Sequence, residues 1–204
     1  MKIVARSILA ALAVPLALLV SITVRVPLAY GQAAYVRWDL IELIGPAPGT
    51  IEAGGLASAL ANDNSAITLS GAGTFVAPAG GGGTSSAVTG GGNWETFDAS
   101  GGSTGGGTYR VTGLVRWEEA PGTLAGTGGT DTIGSLTDTH AGLAVLRIEY
   151  SDGEPGVLVV SCRLPGAPAS IFEGMTASKG FVDYWNRVAP VGFDGNRTLF
   201  HILR

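Results

Sequence analysis

The clearest pattern in the chain is a period of two. In "TYRVTGLVRWEE", Tyr109, Val111, Val115 and Trp117 fall on one parity, with Gly113 between them. Thr108, Arg110, Thr112, Arg116 and Glu118 fall on the other. Such alternation predicts a strand with one face buried, and Leu114 is the one residue out of step. Further on, Leu146, Ile148 and Tyr150 alternate with Arg147 and Glu149. "SDGEPG" then supplies turn residues, and "VLVVSC" is apolar on both parities. That order predicts a hairpin whose second strand is covered on both faces.

Upstream, "GGLASAL" and "AITLSGAGTFV" flank the turn cluster "ANDNS". Ile67, Leu69 and Phe75 share a parity there, and Gly71 and Gly73 between them suit a bulge or a close backbone approach. Near the C-terminus, "SIFEGMTASKGFVDYWNRV" is rich in β-branched and aromatic residues, while Gly174 and Gly180 weaken any long helix. A strand that bends is expected, with a helix from Ser178 to Val188 as the alternative. "NRTLFHIL" reads as the last strand. The fold class is all-β, a single antiparallel β-sandwich or jelly-roll-like barrel of roughly eight to ten strands with low helix content and long Gly-rich loops.

Glycine changes that picture in one region. Twelve of the 28 residues from Gly80 to Gly107 are glycine. A linker would need a foldable unit on each side, and the segment before it is too short to stand alone without disulfides. Residues 77–107 are therefore expected to be slack within one domain, a set of Gly-rich loops and hairpin tips, with "NWETFD" as a short strand or anchored bulge among them.

The N-terminus follows another grammar. Lys2 and Arg6 precede an apolar run from Ile8 to Val24, and small residues cluster at Ala29, Gly31, Ala33 and Ala34. This predicts a secretory signal peptide over 1–31, cut after Gly31, leaving a single domain over 32–204. An uncleaved anchor is the alternative, but the run is short of the ~20 residues of a spanning helix and Pro15 interrupts it. The mature chain is thus expected to have no membrane span and to be secreted or extracytoplasmic. Lys2, Arg6 and Arg25 leave with the leader, so nine basic residues face sixteen acidic ones, a net charge of −7. Such a chain repels phosphate backbones, and no nucleic-acid partner is expected. Cys162 is the only cysteine, so there is no intramolecular disulfide; in an apolar run it reads as a small buried hydrophobe.

The motifs that carry chemistry are thin. No glycine turn is followed by Gly-Lys-Ser/Thr, and Lys179 stands in "ASKGF", which argues against a nucleotide cradle. "GGSTG" matches a nucleophile elbow around Ser103, but it sits in low complexity with no helix to follow. Asp131, Asp138 and His140 lie close in sequence without diagnostic ligand spacing, and His201 reads as a core or rim residue; no metal and no cofactor are expected. Glu118 and Glu119 point to opposite faces of a strand, so a carboxylate pair for hydrolysis would need Glu118 with Glu149 or Glu173. "NRT" at Asn196 is a glycosylation triplet, set aside because the alanine-rich leader has a bacterial character.

The aromatics are more suggestive. Trp38, Trp117 and Trp185 lie in apolar alternation and read as core or rim. Trp94 lies between two glycine runs with Phe97 nearby, and an aromatic presented from a loop can stack on a sugar ring. The same tryptophan would serve equally as the anchor of that loop. The sequence therefore leads to a secreted, non-catalytic β-sandwich protein that binds polysaccharide or cell-envelope material through Trp94 and Phe97. Two alternatives accompany it: an extracellular structural protein that self-associates through edge strands, and a small secreted carboxylate-dependent hydrolase.

Overall fold

A computed structural model describes residues 33–79, 82–188 and 195–203, and the leader expected over 1–31 lies outside the described residues. The first strands are β1 (Ala34–Ile44), β2 (Thr50–Ala53), β3 (Leu56–Leu60), β4 (Ala66–Ser70) and β5 (Ala72–Ala77). The middle of the chain forms β6 (Val88–Phe97), β7 (Ser103–Ala120), β8 (Thr130–Asp131) and β9 (Thr139–Tyr150). The chain then runs through β10 (Pro155–Cys162), β11 (Gly174–Lys179), β12 (Val182–Tyr184), β13 (Asn186–Val188) and β14 (Arg197–Leu203). One 3-10 turn, Leu136–Asp138, is the only helical element among the described residues. The all-β class holds, and the segment 171–188 holds three short strands with a hairpin turn at Gly180, where one bending strand was expected; there is no helix in it.

The strands close on themselves. β1 pairs with β14 and β5, β5 with β6, β6 with β7, β7 with β9, and β9 with β14, all antiparallel. This six-membered ring is a barrel, and the other strands lie outside it. One arm continues from β9 through β10 and β11 to β12; the other continues from β6 through β4 and β3 to β13. β12 and β13 are separated only by Trp185, so one short stretch of chain clasps both arms together.

The interior is apolar because the alternating positions point inward. Trp38, Phe75, Trp117 and Phe200 are buried together, with Trp117 5.3 Å from Phe75 and 4.7 Å from Phe200 between ring centroids. β7 explains its one residue out of step: the register with β9 shifts between Val111 and Gly113 and again between Leu114 and Arg116. The two bulges turn Leu114 inward to 1 % exposure and leave Val115 half-buried.

The glycine region is divided. Residues 82–87 and the 98–102 hairpin tip lie outside the strands, as expected, while 88–97 and 103–107 are strand in β6 and β7, where Gly90, Gly91 and Gly92 leave space for close backbones. β6 changes partner at this point, from β5 (Ala72↔Gly91) to β4 (Leu69↔Trp94), while it stays paired with β7. A Cβ at Gly92 would fall 1.9 Å from the Ser70 carbonyl oxygen, and one at Gly91 would fall 2.0 Å from that of Tyr109. Backbones cross too closely there for any side chain, which is the second use of glycine in a sheet. Gly73 behaves as read: its Cβ would lie 2.3 Å from the Thr89 carbonyl oxygen.

A buried polar layer covers the outside of β1 and β14. His201 stands opposite Arg37 in the β1–β14 register, and His201 Nε2 lies 2.7 Å from Asp131 Oδ2, with the two side chains 1 % and 2 % exposed. Arg37 donates twice to Asp39 at 2.8 Å and once to the Ile133 carbonyl at 3.1 Å. Asp131 also accepts from the Ile133 and Gly134 amides, so the 131–136 loop is laced onto the barrel. His201 is the buried histidine expected.

Candidate functional site

Trp94 sits on β6 and is 6 % exposed, so the loop platform expected of it is replaced by an interior role. Its Nε1 donates to the Thr108 carbonyl at 3.1 Å, and its ring lies 5.4 Å edge-on from Tyr150. The Lys179 ammonium covers it at 4.5 Å from the centroid. Burial alone would lower that ammonium's pKa, but hydrogen bonds to Asp152 (2.5 Å) and Glu154 outweigh it and hold it above the usual value. The same contact from Lys179 holds the Asp152 carboxyl below the ordinary carboxylate range. Phe97 is half-buried at the end of β6, opposite Ala66. A signal for this was present: Asn93 and Glu95 are exposed while Trp94 and Thr96 are buried, a strand alternation inside the glycine run.

The surface aromatics are elsewhere. Phe181 is fully exposed at the tip of the β11–β12 hairpin, next to Gly180 at φ +56°. Trp185 is 55 % exposed, and its Nε1 donates to Asn62 Oδ1 at 3.0 Å, which fixes the indole at the surface. Trp185 therefore lies at the surface and Trp94 in the interior. The Lys-Gly pair before Phe181 marked a turn, and a residue following a turn glycine is a tip residue.

Phe181 adjoins an open groove. The outward face of β7, β9, β10 and β11 carries a depression of about 700 Å³, lined by Arg110, Arg147, Glu149, Val157, Ser178 and Gly180 among others. Register aligns it: Arg110 faces Glu149, while Gly113, Arg147, Val157 and Ser178 form one row across four strands. Arg110 pairs with Glu149 at 2.5 Å, both well exposed, and Arg147 has no ion-pair or hydrogen-bond partner among the described residues. Val157 and Pro155 add apolar surface, and Thr112 and Ser178 add hydroxyls. Such a surface offers planar guanidinium forks, hydroxyls and an apolar floor, with an aromatic at its end.

The other sequence candidates are dispersed. His140 pairs with Glu119 at 3.0 Å and Asp131 with His201, so the acidic-histidine cluster is divided between two partners. Among the described residues no group of three His, Cys, Asp or Glu side chains could hold a metal ion. Ser103 opens a strand with no helix after it. Asn196 is engaged, accepting from the Ser58 amide at 2.8 Å and donating to the Ser58 and Val188 carbonyls. Cys162 is buried, donating to the Thr198 carbonyl, and burial pushes its thiol well above the usual range. Glu149 is the one carboxylate among the described residues lining the groove, and hydrolysis of a glycoside needs two. No helix among the described residues is long and apolar enough to cross a membrane. No protein-family model, curated protein or solved structure matches the chain.

Proposed function

We propose that the chain is a non-catalytic extracytoplasmic binding module that takes a segment of polysaccharide or cell-envelope glycan along the β7–β11 groove. Phe181, next to Gly180 of the groove lining, supplies the stacking surface, a role closed to the buried Trp94. The observation that carries the reading is the placement of a fully exposed phenylalanine at the end of a groove bearing an unpartnered arginine. Exposed aromatics stack on sugar faces, and arginine forks grip ring hydroxyls and carboxylates. The single, arginine-tied carboxylate favours binding over hydrolysis, and the basic-apolar-small order of the leader supports a location outside the cytoplasm.

The test is retention of the purified protein on insoluble glucans, chitin and peptidoglycan, beside Arg147→Ala and Phe181→Ala. Both residues are exposed, so each variant should keep its fold. Retention by at least one polymer is expected, with each substitution weakening it about tenfold. No retention on any polymer, or variants retained as well as the parent, would refute the groove.

A further inference from the structure

Charge is unevenly spread along the groove, and the unevenness narrows what can bind there. On β9 the outward side chains of Arg147 and Glu149 alternate with the buried Leu146 and Ile148. Glu149, two positions and so ~7 Å along the strand, is the natural partner for Arg147. It is taken by Arg110 across the β7–β9 ladder. On the other side Arg116 faces Val145 and is held by Glu118 at 3.0 Å. Glu119, further along β7, pairs with His140. The register neighbours of Arg147 itself, Gly113 and Val157, carry no charge. Each of these carboxylates thus answers another partner, and the Arg147 fork stays open in a chain where sixteen acids outnumber twelve bases. The Gly180 end is the reverse. Asp152 and Glu154 converge there on Lys179, two carboxylates on one ammonium. Glu154 lies so near Gly180 that a Cβ there would meet its Oε1 at 3.0 Å.

We propose that the groove takes a glycan carrying an acidic sugar, with the uronate carboxylate on the Arg147 guanidinium and an uncharged ring on Phe181. This rests on the groove being a glycan site, and it adds the charge and the direction of the ligand. A carboxylate meets a guanidinium fork through two parallel N–H···O bonds, which a neutral hydroxyl cannot reproduce. The carboxylates beside Gly180 repel an anion at that end, so the charged sugar lies at Arg147 and a neutral one near Phe181. Arg147 and Ser178 stand two strands apart, about 10 Å, and Phe181 follows beyond Ser178. The carboxylate and the stacked ring therefore belong to different sugar units. A densely charged polyanion does not fit, because one open cation is followed by an acidic end. Fields are screened over about 8 Å at physiological salt, so these local charges decide the outcome.

Calorimetric titration with a hyaluronan hexasaccharide, in which uronate and N-acetylglucosamine alternate, and with its methyl ester tests this. The free acid should bind at least about tenfold tighter than the ester, the factor a charge-assisted contact supplies. Arg147→Gln should erase that preference, while Arg147→Lys should keep only part of it, since a point charge replaces a fork. Phe181→Ala should weaken acid and ester by the same factor. Both residues are exposed, so the variants should keep the fold. An Arg147→Gln variant that still prefers the acid overturns the proposal, as does inorganic polyphosphate bound as tightly as the acid. Ester bound as tightly as the acid, or neither bound while a neutral polymer is retained, overturns the acidic sugar and leaves the groove standing. Failure of both oligosaccharides and of every insoluble polymer removes the groove as well.

Discussion

The groove and the buried layer over β1 and β14 each present a short contact to a carboxylate, and they put it to opposite uses. Arg110 and Glu149 meet at 2.5 Å with side chains 65 % and 47 % exposed. Asp131 and His201 meet at 2.7 Å with almost no exposure. In water the first pair is screened by salt and contributes about 0–1 kcal/mol, so its charges stay available to a ligand. Away from water the second interaction is stronger, and so is the cost of leaving either partner alone. Asp131 is further committed to two loop amides, and Gly134 rests so close to the His201 ring that a Cβ there would lie 2.5 Å from Nε2. Distance alone does not mark a functional pair; the surroundings do.

The comparison is open to direct attack. Asp131→Ala should have the largest effect, costing about 3–5 kcal/mol in urea unfolding, because it strands a buried imidazole and two amides. A loss under ~1 kcal/mol would put the two regions on the same footing. Glu173, which accepts from the Arg163 amide at 2.6 Å and the Thr198 amide at 2.8 Å, should fall between them. Its folded pKa of about 7 lies above the ordinary 4.5, so burial favours the neutral form. Its contribution is therefore fully present below pH ~4.5 and is lost as the pH rises through about 7, a decline of about 3 kcal/mol. Glu173→Gln should flatten that slope in denaturation measured across the window. The variant should also be less stable at pH 5, since one backbone amide would face an amide nitrogen in place of an acceptor. Glu149→Gln should have the smallest effect, under about 1 kcal/mol, fading in ~1 M salt.

The fold class was legible because alternation and turn residues are local. Tyr109, Val111 and Trp117 are buried as their parity demands, and the 146–160 hairpin turns at "SDGEPG". The "ANDNS" cluster is a turn as read, with Asn64 at a positive φ of 66°. The roles of Trp94 and Trp185 were not legible, because burial depends on what crosses above a strand. Trp94 is covered by Lys179 and Tyr150, distant in sequence, while Trp185 is half exposed and none of the described residues covers it in the same way. The glycines inside β6 were not legible as strand for a related reason. A backbone crossing and a loose loop ask for the same residue, and only the partner strands distinguish them. The setting of Glu173 was invisible too, since its partners Arg163 and Thr198 come from separated segments.

The barrel ring also fixes an order of events. β1, the first strand, needs β14, the last, as one of its two ring neighbours. The ribosome delivers β1 well before β14, with every other described strand between them. Hairpins such as β9–β10 can form as they emerge, but β1 must keep an edge open until the final residues are free. Closure of this barrel therefore waits on a pairing between strands about 160 residues apart in sequence, the slowest kind of contact to make.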